Sequence, residues 1–419
     1  MKISDIRPEV YTLAEAAEKD LLPVFEEIDR TARINPEKVM QAFQDNRVSD
    51  ACFAGTTGYG YDDLGRETLD RIYAQIFRTE AALVRTGFVN GTHALTAAMY
   101  ALVGPGDTIL AATGAPYDTL RCAIGISGEH HGSLKFYGVD YAQVELLPDG
   151  EPDYEAIRQA ASDKKVKAVM IQRSRGYEDR RALTVAEIGA ICAAVKEVNP
   201  TACIMVDNCY GEFTETLEPT EVGADIIAGS LIKNPGGGVA PTGGYVAGKK
   251  ELVERAAMRL TTPGIGGECG STLGVNRLLF QGLFLAPHTV AQALKTAVFC
   301  AAMCERIGLE TSPKTVEKRS DIIQMIKLGS AENMKRFCAG IQAGAPVDSY
   351  VTPEPWQMPG YDCPVIMAAG SFIQGSSIEL SADGPFQPPY TVYMQGGLTF
   401  ESGRLGVMMA VSAMFDNKE

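Results

Sequence analysis

Tryptophan and histidine are scarce in this chain, with one and four copies in 419 residues, and its ten cysteines form no C-x-x-C pair. His93, His130, His131 and His288 stand at no metal-ligand spacing from cysteines or carboxylates, which argues against a structural zinc. No short disulfide framework is visible either, so the cysteines read as reduced thiols, most of them small core residues. A basic block is also missing. The 38 basic residues are outnumbered by 52 acidic ones, and the net charge of -14 speaks against a nucleic-acid surface or an anionic membrane as partner. No apolar run is long enough to span a bilayer. The most apolar stretch, 278–304, is interrupted by Gln281, His288, Gln292 and Lys295 and reads as buried helix. Residues Met1 to Pro8 lack the apolar centre of a secretion signal, so a cytoplasmic protein that binds a small molecule is expected.

A chain of this length is too long for one simple core. Residues 1–54 read as a helical segment, 55–287 as a large α/β domain and 288–419 as a smaller α+β domain. Val10, Leu13, Ala14, Ala17, Leu21, Phe25 and Ile28 recur at helical spacing, with a kink expected near Pro23. A second helix is expected from Asn35 as cap and Pro36 as first residue. From Ala81 onward, strands and helices alternate, which implies a mostly parallel sheet flanked by helices. Strands are expected at 81–86, 108–112, 133–137, 166–172, 202–207 and 224–228, with 243–248 returning antiparallel. Thr184-Val-Ala-Glu187 predicts a capping box. A long helix is expected over 289–306, and 351–364 reads as a proline-rich loop.

Chemistry gathers around Ser230-Leu-Ile-Lys233-Asn-Pro-Gly-Gly-Gly238, a lysine just past an apolar strand and ahead of three glycines. Open α/β sheets place their sites at such strand ends, and the glycines would let the backbone approach a flat ligand. Taken alone, the segment reads more readily as a surface lysine in a glycine-rich turn. Val206-Asp207-Asn208 closes an earlier strand with a carboxylate. An amine to hold an aldehyde and an ionised carboxylate against a pyridine nitrogen are what pyridoxal phosphate requires. Asn90-Gly91-Thr92-His93, at a helix start, offers free backbone donors for its phosphate, with hydroxyls from Thr92 and Ser230. Tyr117 follows the next strand, where its ring would lie against a cofactor face or simply pack. Gly243-Gly-Tyr-Val-Ala-Gly248-Lys249-Lys250 is a near miss to a nucleotide phosphate loop and lacks the hydroxyl that would bind magnesium.

Asn-Gly-Thr at a helix start, Val-Asp-Asn ending a strand and Ser-x-x-Lys before glycines, in this order and spacing, resemble the fold-type I pyridoxal-phosphate enzymes, the aspartate aminotransferase fold. Within them the chain is similar to the cystathionine lyases and methionine gamma-lyase, and most of all to the methionine gamma-lyase-like, or aluminium-resistance, branch. The resemblance covers nearly the whole chain and is strongest from Gly55 to Gly248. It implies cofactor attachment to Lys233, a ring-nitrogen contact from Asp207, phosphate contacts from Gly91, Thr92 and Ser230, and stacking by Tyr117. It also implies that Tyr59 or Tyr61 reaches the neighbouring subunit's phosphate, so that a homodimer is the active unit, with homotetramers usual. Departures exist. Ile232 replaces the usual threonine, and Gln172-Arg-Ser-Arg-Gly-Tyr177 replaces Glu-Ser-Pro-x-Asn-Pro, which brings Arg173 and Arg175 to the cofactor or the substrate. Tyr210 leans toward aminotransferase-like sequences. Arg404, in the C-terminal domain, is the first choice for the carboxylate of an amino-acid substrate.

These features point to a carbon–sulfur lyase that eliminates at the beta or gamma carbon of a cystathionine- or methionine-type amino acid. Lys233 is then anchor and base, and Tyr117 a candidate acid. An aminotransferase or aldolase using the same cofactor, or a catalytically silent binding protein on the same scaffold, is the alternative.

Overall fold

Apolar runs rich in valine, isoleucine and alanine pair into a seven-stranded sheet in the computed structural model, which describes residues 1–128, 131–358 and 363–415. His130 and part of the expected loop, 359–362, lie outside the described residues. The strands are β1 (Ala81–Arg85), β2 (Thr108–Ala111), β3 (Asp140–Gln143), β4 (Val166–Gln172), β5 (Cys203–Asp207), β6 (Ile226–Ser230) and β7 (Gly244–Gly248). Their order is β1-β7-β6-β5-β4-β2-β3, parallel from β2 to β6, with β7 antiparallel to β1 and β6. Successive side chains go to opposite faces. Val169, Ile171, Ile204 and Val206 enter one core, and Ala168, Met170, Met205 and Ala228 the other.

The helices are α1 (Pro8–Asp45), α2 (Leu64–Ile76), α3 (Gly91–Leu102), α4 (Asp118–Ile124), α5 (Tyr154–Ala161), α6 (Val185–Val198), α7 (Lys250–Leu260), α8 (Asn276–Arg306), α9 (Ala331–Ala343) and α10 (Phe400–Met414). A second, antiparallel sheet has the order β10-β11-β12-β9-β8, from β8 (Glu310–Ser312), β9 (Ile323–Lys327), β10 (Val365–Ala369), β11 (Ser381–Pro385) and β12 (Thr391–Gln395). Ile366, Ala368, Ala382, Val392 and Met394 fill a core of their own. The alternate residues Met367, Ala369, Ser381, Asp383 and Gln395 turn toward the large sheet and line a cavity.

The structure corrects three expectations. Residues 133–137 form turns, the Tyr137 N–H donating to the Ser133 carbonyl, and the strand beside β2 is β3, in register from Thr108 and Asp140. The two N-terminal helices are one: α1 runs through Pro23 and Pro36. Asn35 does not cap it, because its buried amide donates to the carbonyls of Phe213 (2.9 Å) and Glu215 (3.1 Å). The cost of an interior proline is offset by burial on both sides, Leu21 in the small core and Val39 and Ala42 in the large one. The long apolar helix begins at Asn276 rather than Thr289. The expected domain border at 287/288 therefore falls inside α8, which puts Leu279, Phe280 and Leu283 into the large core and Phe299, Cys300 and Met303 into the small one. Among the described residues no helix is long and apolar enough to cross a membrane.

Candidate active site

A cavity of about 350 Å³ opens where the parallel strands end and the polar face of the small sheet begins. Gln172 ends β4, Asp207 ends β5 and Ser230 ends β6, so strand geometry alone brings them to one edge. Lys233 follows three residues after Ser230 and is the one cation among the described lining residues. Its Nζ stands 4.0 Å from the centroid of the Tyr210 ring. Tyr210 adopts a left-handed backbone (φ 70°), unusual for an aromatic residue, and its hydroxyl is 3.1 Å from Ser377 Oγ.

Burial opposes the charge on Lys233, yet neighbouring Cys209, Tyr210, Asp207 and Glu212 hold its pKa above the ordinary lysine value. Burial pushes Cys209 and Tyr210 up as well, so both stay neutral at pH 7, and Asp207 is the counter-ion. Burial also pushes Asp207 up, against Lys233 and the Cys209 N–H, which donates to its Oδ1 at 3.1 Å. The ammonium and the carboxylate thus compensate each other. A second carboxylate, Asp383, lines the opposite wall; burial pushes it up to about 7, with Tyr177 and Gln395 opposing.

At the far end stands the N-terminus of α3. Asn90 caps it, its side chain accepting from the His93 N–H at 2.8 Å and its carbonyl from Ala94, which leaves the Gly91 and Thr92 N–H groups without a helical acceptor. A Cβ on Gly91 would stand 3.2 Å from Ser230 Cβ, so glycine keeps this corner open. Thr92 Oγ1 lies 2.8 Å from Thr119 Oγ1. Free amides, a helix N-terminus and three hydroxyls form an anion cradle. The amine, carboxylate and cradle in one cavity fit pyridoxal 5'-phosphate.

Tyr117 also lines the cavity, its N–H donating to Gln172 Oε1 at 2.8 Å. Gly176 (φ 59°) passes under its ring, where a Cβ would meet Tyr117 Cδ2 at 3.2 Å. The three glycines after Lys233 serve packing instead of a ligand. A Cβ on Gly237 would stand 2.4 Å from the Gly282 carbonyl oxygen in α8, and one on Gly238 would strike Leu398.

The arginines separate. Arg173 is fully buried away from the cavity, on Asn208 (2.8 Å), Glu215 (3.2 Å) and Glu218 (3.4 Å). Breaking such a buried set costs about 3–5 kcal/mol, more than the roughly 1.5–3 kcal/mol of a new charged hydrogen bond, so it stays structural. Arg404 pairs with Glu18 of α1 and is not among the described lining residues. Arg175 borders a smaller adjoining cavity that shares Tyr117, Gln172, Gly176 and Tyr177 with the first. Its Nη2 donates to Ser312 Oγ at 3.0 Å, while Nε and Nη1 have no partner and burial lowers its pKa. Tyr59 and Tyr61 lie outside the cavity, 73% and 59% exposed, with ring centroids 5.6 Å apart. Residues the sequence did not single out for the site include Thr119, Ser377, Asp383 and Gln395. The strand alternation that turns Asp383 and Gln395 inward is the signal that could have found those two.

Residues 10–415 match the family described as methionine gamma-lyase. The uncharacterised protein YnbB of Bacillus subtilis (strain 168) is 47% identical over 406 residues, 97% of this chain and 96% of its own length. The crystal structure of a carbon–sulfur lyase involved in aluminium resistance from Clostridium novyi NT superposes with a TM-score of 0.94 at 52% identity, over 98% of this chain and 97% of that one. The pyridoxal-5'-phosphate-dependent protein YhfS of Escherichia coli, at 16% identity, shares the fold with a TM-score of 0.62 over 92% of this chain and 97% of that one.

Proposed function

Because the chain belongs to the methionine gamma-lyase family and has the fold-type I architecture of pyridoxal-phosphate enzymes, we propose that it is a carbon–sulfur lyase that cleaves a sulfur-containing amino acid. The observation that carries this reading is the meeting of Lys233, Asp207 and the α3 N-terminus in one cavity. Lys233 would hold the cofactor's aldehyde and Asp207 its ring nitrogen. The Gly91 and Thr92 N–H groups, with Thr92 and Ser230 hydroxyls, would hold its phosphate, and Tyr117 would cover the ring. When bound, the cofactor supplies an electron sink that makes the alpha proton of an amino acid removable.

The chain's own part is to place and move protons. Once the substrate's amine has taken its place on the cofactor and left it a neutral amine, Lys233 Nζ would take the alpha proton and is the base. The Asp207 carboxylate would hold a proton on the ring nitrogen, the opposite charge there offsetting the burial that pushes its own pKa up. The Tyr117 hydroxyl delivers a proton to the departing sulfur. Of the three arginines, Arg175 alone borders the adjoining cavity among the described lining residues, and its unpartnered Nε and Nη1 are donors for the substrate carboxylate. Tyr59 or Tyr61, exposed on its own subunit, completes the cradle of a neighbouring copy, so that a homodimer is the working unit.

Visible absorption of the purified protein supplied with pyridoxal 5'-phosphate tests the reading. A yellow chromophore, absent in Lys233→Ala, with release of a thiol and a 2-oxo acid from cystathionine or methionine, is the expected result. Turnover that needs an added keto acid and releases no thiol would make it an aminotransferase. An intact chromophore that yields no product would mark a silent binding protein.

A further inference from the structure

The lyase reading leaves one charged group of the cavity without a task. Asp383 lies in the middle of β11, opposite Met367 of β10, on the face of the small sheet that lines the cavity, while Ala382 beside it enters the small core. The residue is 6% exposed. Gln395 Nε2 donates to its Oδ2 at 3.2 Å and the Tyr177 hydroxyl is a second polar neighbour, yet its Oδ1 has no partner in hydrogen-bond geometry. A buried carboxylate oxygen left without a donor is costly. Packing alone would favour a neutral side chain here.

The charge balance of the lining gives the same indication. Two carboxylates, Asp207 and Asp383, stand against the single ammonium of Lys233 among the described residues, and Lys233 and Asp207 answer each other. Asp383 is the surplus carboxylate. Tyr177, Ser376, Ser377, Ser381 and Gln395, which line the same cavity, are neutral, so among the described residues no cation lines that wall. Gln395 fixes Oδ2 and thereby orients Oδ1.

We propose that Asp383 is a specificity-determining residue that accepts a second cationic group of the substrate, an ammonium carried on the leaving side of the sulfur. The site then selects thioethers with two amino groups over those with one. An uncharged thioalkyl group in the same place would leave Oδ1 unpaired. The inference rests on the lyase reading and deepens it.

The test is equilibrium binding, read from the visible chromophore of the holoprotein, of diaminosuberate and aminosuberate. These sulfur-free dicarboxylates differ only in the second amino group and have no thiol to expel. Diaminosuberate is expected to bind at least about tenfold more tightly, and the isosteric Asp383→Asn, checked for folding by its melting temperature, is expected to abolish that preference. Equal affinities in the unaltered protein, or a preference that survives in Asp383→Asn, overturns the proposal and leaves the lyase reading standing. A chromophore that answers neither ligand overturns the lyase reading, and the proposal with it.

Discussion

At Gly91 a single methyl group separates a cradle from a filled corner. Alanine there would put its Cβ 3.2 Å from Ser230 Cβ and 3.6 Å from Cys209 Sγ, in the space that the free N–H groups face. The fold should tolerate it. Both contacts are with side chains, and alanine is the better helix former. Gly91→Ala is therefore expected to keep a melting temperature within a few degrees of the unaltered protein and to weaken pyridoxal-phosphate binding at least about tenfold, measured by absorbance after equilibrium dialysis. Unchanged affinity would remove the α3 N-terminus from the phosphate site. The position of Gly91 was legible because a cap, a glycine and a threonine sit together in sequence. Lys233 and Asp207 were legible because the one closely follows an apolar strand and the other ends one. The fate of Arg173 was not, since its partner Glu218 lies 45 residues away and only the fold joins them. Arg404 likewise meets Glu18 across 386 residues.

Elements whose signals are local were read well. The capping box of α6 is present in full: the Glu187 N–H donates to Thr184 Oγ1 at 3.2 Å and the Thr184 N–H to Glu187 Oε2 at 2.8 Å. Elements decided by tertiary burial were misjudged, as with α1 at its two prolines, and β3, whose place is set by the edge of β2. The α6 cap also carries a pH dependence. Burial would raise the Glu187 carboxyl, but Arg181 and the N–H and hydroxyl of Thr184 bring it from 4.5 down to about 2. A carboxyl depressed on folding stabilises the protein above its unfolded value and loses that contribution as pH falls through the folded one. The stabilisation from Glu187 is thus complete above about pH 5 and fades between 4.5 and about 2. Since the pair is only partly buried and water screens it, Glu187→Gln should cost about 1 kcal/mol at neutral pH rather than the full value of the shift. Urea unfolding at about pH 7 and about pH 3.5 checks this, and a difference that does not shrink at the lower pH would assign the cost to packing.

For the whole molecule, the loop before α2 raises the question of what covers it. Tyr59 and Tyr61 stack on each other in water, 73% and 59% exposed, a poor use of two large aromatic rings in a monomer. A twofold dimer would bring the same loop of each subunit to the other's cavity, because an isologous contact repeats itself in both directions. Subunit mixing distinguishes this from a packing role. In a hybrid of Lys233→Ala with Tyr59→Ala/Tyr61→Ala, one cavity would combine both defects. The other would hold an intact Lys233 and receive intact tyrosines from its partner. At a cofactor concentration too low to fill the tyrosine variant, random reassortment of the two parents should then restore about a quarter of the unaltered activity, as half of the dimers are hybrids with one sound site each. If the tyrosines instead serve the cavity of their own chain, each cavity of the hybrid keeps the defect of its own subunit, and mixing restores nothing. The double tyrosine variant by itself should bind pyridoxal phosphate more weakly. A variant that binds it normally and gains nothing on mixing leaves the loop to packing and removes the partner's tyrosines from the site.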